Sequence, residues 1–369
     1  MSELDNVYFK LRDSYLHYKI EQNRIVLKSR YVYTVIDCEG TFKEIDGFLR
    51  RLLSCNTIKR FLQGASKQEK RKLVLALRKL EKNGIVVMKP MKLDDSLKHN
   101  KSQICFFSEY SKDGAPLQKN LQEARVSILG ANIFGLTTAK LLVASGFRNV
   151  DIYNKTKNSR SNRKAPFTNP SESSEETQLA KELAEAKHQA TVSFRQIRDI
   201  GELNSDSRCD FLIAWINDVN ELLAVNKLCA RRTIEWISCR YDGPCMLVGP
   251  MVIPGQTPCF ECYQRWELAN MPSYSSYLDY AGMKAIRRNP AYSCMVPSVY
   301  LTASIATTEV ILRLTNLVQP NTLGRMLSID PISASIESHR VLSLPDCKAC
   351  SEGREKSIAI MGASSGANE

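Results

Sequence analysis

The sequence predicts an α/β protein built on a Rossmann-like doubly wound sheet with a structural metal site, preceded by a small α+β domain. Three observations predict it: a strand, glycine turn and helix from residue 124, two Cys-x-x-Cys pairs, and an amino-terminal stretch of short strands and amphipathic helices. The chain has 369 residues, of which 43% are hydrophobic, so it is long enough for two domains.

Residues 1–90 are predicted to form one small domain of the winged-helix type. Three β-rich runs separated by turn-prone residues come first, at 15–20, 24–27 and 31–36. Helices follow: one that Thr41 and Glu44 would cap as a capping box, a short one at 57–62, and one at 67–83. The run 85–88 is then expected to return as a strand.

A polar stretch, residues 91–120, is expected to be a linker with one apolar patch around Phe106 and Phe107. After it come an apolar strand at 124–129, a glycine turn, an apolar helix to Ala144 and a second strand at 150–153. This βαβ pattern is typical of a doubly wound sheet. The second domain is expected to span 121–352, followed by a flexible tail at 353–369.

The glycine turn is the first chemical signal. Gly130 permits a tight turn, and Gly135 lets the helix pack closely while its free N–H groups face a phosphate. The middle glycine of the usual fingerprint is replaced at Asn132 or Ile133, and Tyr153 stands where an acidic residue would end the second strand. Two interpretations of the glycine turn remain: it binds a nucleotide, or it serves only the packing of strand and helix. The missing acidic residue and middle glycine disfavour a nicotinamide oxidoreductase.

Two cysteine pairs are a stronger signal, and they predict zinc. A two-residue spacer lets both thiolates of a pair reach one ion at about 2.3 Å, and two pairs complete a tetrahedral shell. Four sulfurs leave no position for water, so the zinc is expected to be structural. Unrelated buried thiols and a redox dithiol are the alternatives. The predicted ligands are Cys259, Cys262, Cys347 and Cys350.

Composition limits the class of protein. No apolar run reaches the roughly 18 residues that span a bilayer, and the amino terminus is polar, so we expect a cytoplasmic protein without a membrane partner. The formal charge of +12 favours an acidic partner. The basic residues of 59–82 would suit a DNA-binding winged helix, but they surround the helix instead of forming one face, so no nucleic-acid partner is expected.

These features together resemble the ubiquitin-activating-enzyme (ThiF/MoeB-like) superfamily. The resemblance rests on the glycine turn, on Asp218 after the apolar strand 211–215, on the Pro-Gly-x-x-x-Cys-x-x-Cys segment at 254–262, and on the terminal cysteine pair. It covers about residues 120–352. Within the superfamily the chain is most similar to the peptide-modifying branch, which includes the enzymes of microcin C and pantocin A maturation and the leader-binding partners of azoline-forming cyclodehydratases. The amino-terminal unit resembles the leader-recognition domain found in front of such domains.

The resemblance implies ATP and Mg²⁺ as cofactors and a homodimer as the assembly. The implied nucleotide-site residues are Gly130 and Gly135 beside the nucleotide, Arg163 at the phosphates and Asp218 at magnesium. Two positions depart from the family's pattern: its ribose-binding acid falls on 153–155, and its phosphate-binding lysine falls near Glu175 or Glu176. A solvated basic loop is the alternative for Arg163, and a helix cap is the alternative for Asp218.

Two functions follow from this resemblance. The first is ATP-dependent modification, by adenylation or phosphorylation, of a ribosomally synthesised precursor peptide in natural-product (RiPP, antibiotic) biosynthesis. The alternative is a catalytically silent scaffold that binds the leader and delivers the precursor to a separate cyclodehydratase. In both, the precursor is the partner, and its leader is expected to add as a strand beside the 31–36 edge, against the helix at 67–83.

Overall fold

The structure of the protein, a computed structural model, describes residues 7–11, 15–21, 24–29, 33–37, 47–48, 50–52, 58–82, 85–90, 95–111, 113–155, 175–185, 190–203, 208–242, 244–270 and 295–351. The chain divides into two compact units, residues 1–119 and 120–369. Arg163 and the predicted tail at 353–369 lie outside the described residues.

Among the residues that the structure describes, five strands form two small sheets in the amino-terminal unit. They are β1 (Val7–Leu11), β2 (Tyr15–Glu21), β3 (Arg24–Ser29), β4 (Tyr33–Asp37) and β5 (Val86–Pro90). Strands β2, β3 and β4 pair antiparallel in that order, and β1 pairs antiparallel with β5. The strands predicted at 15–20, 24–27, 31–36 and 85–88 correspond to β2–β5, whereas β1 was not predicted. Strand β4 lies at an edge of its sheet, and its Val35 is 54% exposed.

Two described helices of this unit match predicted ones, α1 (Ile58–Phe61) and α2 (Lys67–Lys82). A capping box starts α2: the Ser66 N–H donates to Glu69 Oε2 at 2.8 Å, and the Glu69 N–H donates to Ser66 Oγ at 3.3 Å. Leu77 and Leu80 face the core. The box predicted at Thr41 lies outside the described residues, and the winged-helix assignment stays a prediction.

Residues 91–120, expected to be a polar tether, contain helices instead. A 3-10 helix (Asp95–Asn100) leads into α3 (Lys101–Tyr110), and α4 (Ala115–Glu123) follows. The reason is burial of Ile104 and Phe107, three residues apart on α3. Ser108 Oγ donates to the Ile104 carbonyl and accepts the Gly114 N–H, and a Cβ at Gly114 would clash with that carbonyl. The expectation of a tether is therefore corrected.

One eight-stranded sheet organises the second unit. Its strands are β6 (Arg125–Leu129), β7 (Asn149–Lys155), β8 (Thr191–Ile197), β9 (Phe211–Trp215), β10 (Glu235–Asp242), β11 (Cys245–Val252), β12 (Arg325–Asp330) and β13 (Ser335–Arg340). The order is β13-β12-β11-β10-β9-β6-β7-β8. The five neighbouring strands β8, β7, β6, β9 and β10 run parallel to one another. The strands β10, β11, β12 and β13 pair antiparallel with their neighbours. The α/β prediction for this region is confirmed.

Helices cover both faces of this sheet. They are α5 (Ile133–Ala144), α6 (Glu175–Glu185), α7 (Val219–Arg232), α8 (Phe260–Ala269) and α9 (Val296–Thr315). Leu212 and Ala214 pack in one core cluster with residues of α7 and α8. The side chain of Trp215, the next residue of β9, points to the opposite face of the sheet and stacks on Phe134 of α5. None of the described helices is long and apolar enough to cross a membrane.

Candidate metal centre and sheet-edge site

The glycine turn lies at the carboxyl end of β6, beside the end of β9. Gly130 has a φ of +114°, and a Cβ there would clash with the Trp215 carbonyl oxygen. A Cβ at Gly135 would clash with the carbonyl oxygen of Gly130. Close packing of strand, turn and helix thus requires both glycines, whether or not a nucleotide binds.

Asn132 closes this turn with its own side chain. As the N-cap of α5, its Oδ1 accepts the Gly135 N–H at 3.0 Å, while its Nδ2 donates to the Trp215 carbonyl at 3.2 Å. One N–H group that would face a phosphate at this helix end is therefore bound within the chain.

The end of β7 carries a lysine in an ion pair. Tyr153 is buried at 1% exposure, and Lys155 Nζ lies 2.9 Å from Glu221 Oε1 on α7. The position where a ribose-binding acid was sought therefore presents a paired cation. This neighbourhood offers little to a nucleotide ribose.

Asp218 follows β9 and is the N-cap of α7. Its Oδ1 accepts the N–H groups of Asn220 at 2.9 Å and Glu221 at 3.3 Å. The neighbouring Asn217 accepts the Tyr241 N–H at 3.2 Å and donates to the Tyr241 carbonyl at 3.3 Å. The structure brings Asp218 to the same side of the sheet as Gly130 and Gly135, where the parallel strands have their carboxyl ends, because β6 and β9 are neighbours.

A partly buried polar cluster on β10 and α8 was not predicted from the sequence. Arg240 Nη2 donates to Tyr263 Oη at 2.8 Å and to Glu267 Oε1 at 2.5 Å. Burial raises the pKa of Tyr263, so the phenol stays protonated and donates to Glu267 at 2.6 Å. The i,i+4 spacing of Tyr263 and Glu267 was a visible signal, but their partner is more than twenty residues away in sequence. These hydrogen bonds hold α8 against strand β10 of the sheet.

The structure brings the four predicted zinc ligands together. Three sulfur–sulfur distances are 3.9 Å for Cys259–Cys262, 3.5 Å for Cys259–Cys347 and 3.6 Å for Cys262–Cys350. All four sulfurs lie within 4.8 Å of one another, and all four residues are buried. A tetrahedron with Zn–S bonds of about 2.3 Å has edges of about 3.8 Å. The cluster therefore has the dimensions of a zinc site.

The sulfurs of the cluster ionise unequally, because a hydrogen bond with the Cys262 thiol raises the pKa of Cys259. Hydrogen bonds with the Cys259 and Cys350 thiols and with the Leu344 N–H lower the pKa of Cys262, and the Leu344 N–H lies 3.3 Å from its sulfur. Four thiols this close cannot all ionise without a cation between them, because like charges repel. The donor set thus fits a divalent, thiophilic metal.

A family model describes most of the second unit. The ThiF family model matches residues 101–351, which is more than half of the chain. The chain belongs to the ThiF family. The predicted membership of the ThiF/MoeB-like superfamily is confirmed, and the match begins within the stretch that was expected to be a linker.

Several solved structures share the fold of this ThiF-family chain. One is E. coli MccB with AMPCPP and selenomethionine MccA, at 18% identity and a TM-score of 0.62, covering 93% of this chain and 99% of that one. E. coli MccB with ATP gives 17% identity and the same TM-score and coverage. A heterocyclase in complex with substrate and cofactor gives 13% identity and a TM-score of 0.62, and the match covers 96% of this chain and 40% of the heterocyclase. No curated protein sequence matches the chain.

Three further described cysteines of this ThiF-family chain, Cys209, Cys229 and Cys239, are poor candidates for a reactive site. Burial raises the pKa of Cys229 and Cys239 well above the usual thiol value, and it raises that of Cys209 to about 11. These thiols stay protonated at neutral pH and are poor nucleophiles. Cys294 lies outside the described residues.

Proposed function

We propose that this ThiF-family chain binds a ribosomally synthesised precursor peptide through its amino-terminal unit and presents it for modification by a separate cyclodehydratase. Structures of the same fold include MccB with MccA and a heterocyclase with its substrate, which supports a peptide as the partner. The chain is thus a leader-binding scaffold of RiPP biosynthesis.

The observation that carries the scaffold assignment is the double hydrogen bond of the Asn132 side chain. A phosphate at a helix N-terminus needs free N–H groups and close approach to the backbone. Here the Asn132 amide takes the Gly135 N–H and stands at the position of the middle glycine of the fingerprint. The Lys155–Glu221 pair further removes a free cation from this edge. The site keeps the strand, turn and helix of a nucleotide site, but the Gly135 N–H at its helix N-terminus is already bonded within the chain.

ATP-dependent modification of the precursor is the second candidate. It is favoured by the position of Asp218 at the sheet edge beside Gly130, and by the shared fold with MccB in complex with ATP. In that case Asp218 would hold Mg²⁺ and Arg163 would contact the phosphates. ATP would supply a phosphoryl or adenylyl group that converts a peptide oxygen into a good leaving group.

Nucleotide consumption separates the two candidates. The full-length chain, a candidate precursor peptide and a candidate cyclodehydratase are assayed in combination for pyrophosphate exchange and for phosphate release. We expect the chain and the precursor alone to consume no ATP, and the chain to accelerate modification by the cyclodehydratase. Precursor-dependent turnover by the chain alone, lost in Asp218→Asn, would establish the enzyme instead.

We also propose zinc as the metal of the four-cysteine cluster. Four thiolates fill its coordination shell, so the metal would act as a structural centre that joins the 254–262 segment to the chain near residue 350. Such an ion would not bind a substrate, because four thiolates leave no free coordination position.

The leader is proposed to add to the β4 edge beside α2. Strand β4 is the last described strand of its sheet, and a sheet edge offers unpaired N–H and C=O groups to an extended peptide. The exposed Val35 side chain would meet an apolar leader residue. Helix α2 adds exposed cations, including Arg71, Lys72 and Arg78, so an acidic leader is favoured.

A homodimer is proposed for the second unit. A groove of about 740 Å³ lies between α9 and the β12–β13 hairpin. Its lining includes Leu301 and Ile336, which are 42% and 54% exposed. A second copy is the proposed occupant, since the superfamily resemblance implies a homodimer and contiguous exposed apolar side chains mark an interface.

A further inference from the structure

Asn226, on a different helix, contacts the backbone between the first two cysteines of the metal cluster. It lies on α7, is 1% exposed, and its Oδ1 accepts the Phe260 N–H at 3.0 Å. Phe260 follows Cys259 directly and is the first residue of α8. The Cys259 side chain makes no capping hydrogen bond at this helix start. Asn226 therefore satisfies a backbone donor that the cysteine, as N-cap, leaves free.

The other end of the same amide group is unsatisfied. Asn226 Nδ2 is buried and has no hydrogen-bond partner in the part of the chain that the structure describes. The same holds for Nε1 of Trp236, whose ring centroid lies 6.0 Å from that of Phe260. A buried donor without a partner destabilises the folded chain. Two such donors around Phe260 indicate an environment suited to negative charge.

A zinc ion with four thiolates supplies that charge. Four single negative charges and the two positive charges of the ion leave the centre with a formal charge of −2. N–H groups outside the coordination shell stabilise such a centre and orient its ligands. Neutral thiols, in contrast, are weak acceptors and give a buried donor little compensation.

We infer that Asn226 is a positioning residue of the metal centre. Its Oδ1 fixes the backbone at the first cysteine pair, and its Nδ2, which makes no hydrogen bond to a described sulfur, adds an N–H dipole near the charge that develops on the sulfurs when the metal binds. The inference rests on the proposed zinc centre. Because Asp218 caps the same helix, Asn226 also links the metal centre to the sheet edge through α7.

Two substitutions separate the two halves of this role. Asn226→Ala removes both interactions, whereas Asn226→Asp keeps the acceptor for the Phe260 N–H and replaces the donor with a negative oxygen. Lys227→Ala, at the next and exposed position of α7, is the matched control. The readouts on full-length protein are zinc per chain, the rate of zinc release to a chromogenic chelator, and the thiolate-to-cobalt charge-transfer band after Co²⁺ substitution.

We expect zinc release to become roughly 10-fold to 100-fold faster in both Asn226 variants, because losing a group that supports the metal ligands weakens metal binding by about that factor, and we expect a shifted cobalt band. Lys227→Ala should match the wild type. Wild-type release rates and spectra in Asn226→Asp would overturn the donor role, and the same result in Asn226→Ala would overturn the whole inference. Wild-type protein without zinc would instead refute the zinc centre itself.

A measurement on the wild type covers the case in which Asn226→Ala does not fold. Hydrogen exchange is followed over residues 219–232 and 259–264 before and after chelation. Faster exchange in both segments after chelation is expected, because the metal and α7 share Asn226. Unchanged exchange in 219–232 would contradict the link.

Discussion

The Nδ2 group of Asn132 donates a hydrogen bond to the carbonyl oxygen of Trp215 at 3.2 Å, and this bond joins the turn after β6 to the end of β9. The same side chain accepts the Gly135 N–H. A residue at the middle of the turn thus belongs to the internal framework of the sheet edge. The proposed loss of nucleotide chemistry rests on this arrangement.

Replacing Asn132 tests its structural role. We expect Asn132→Ala to lower the free energy of unfolding by about 1 kcal/mol, because α5 loses its N-cap. Asn220→Ala, at an exposed position in the first turn of α7, should change it by less than about 0.5 kcal/mol. Urea denaturation of both variants measures the difference. Equal stability of the two variants would show that the Asn132 bonds contribute nothing.

Removing one thiolate tests the metal centre. Cys262→Ser should reduce bound zinc from one ion per chain to well below one, and it should cost several kcal/mol of stability, because metal binding and folding are coupled. Zinc affinity of the wild type should fall as the pH is lowered, since thiolates must be deprotonated to bind. Cys105→Ser, on α3, is the control and should keep its zinc. Metal analysis and thermal unfolding are the measurements.

Asp218 distinguishes a helix cap from a magnesium ligand. Asn is as good an N-cap as Asp, so Asp218→Asn should keep stability and full support of the cyclodehydratase. Asp218→Ala should lose about 1 kcal/mol of stability and also keep that support. Peptide modification is measured by mass spectrometry. Normal stability with abolished modification in Asp218→Asn would identify a metal ligand.

Charge reversal on α2 tests the leader site. Arg78→Glu should weaken binding of an acidic leader to the full-length chain and reduce the dependence of its affinity on salt. Lys227→Glu makes the same charge change on α7 of the second unit and should leave affinity almost unaltered. Fluorescence anisotropy at several salt concentrations provides the affinities. Similar losses in both variants would mean that only net charge matters.

The proposed dimer is tested in its groove. Leu301→Asp places a charge among apolar lining residues, so it should shift the mass measured by light scattering from dimer to monomer. Thr308→Ala, also in the lining, should remain dimeric. A wild-type protein that is monomeric at high micromolar concentration would refute the proposal.

The four-cysteine cluster could be predicted from sequence because the spacing within each cysteine pair is a local property of the chain. Asn226 could not, since its contact with Phe260 joins residues on different helices and an asparagine inside an amphipathic helix has no distinctive pattern. Helix α3 was missed for another reason. Its apolar residues Ile104 and Phe107 stand among many polar ones, and only tertiary burial shows that the segment is folded.

The alternation of apolar strands and helices predicted β6, α5 and β7 closely, because parallel strands buried on both faces are continuous apolar runs. The same pattern could not reveal that Asn132 would bond to Trp215. That bond depends on β9 pairing with β6, and the two strands are more than eighty residues apart. The sequence therefore indicated the glycine turn but not the hydrogen bond that closes it.

The four-cysteine cluster also sets an order of events during synthesis. The second cysteine pair follows the first by residues 263–346, so the ribosome must add these residues before the shell can close. At ordinary elongation rates that takes roughly 4 to 17 s. Over this interval the nascent chain contains only two of the four cysteines of the cluster, Cys259 and Cys262. A cell that produces this protein must therefore keep two neighbouring thiols reduced until the last part of the domain emerges.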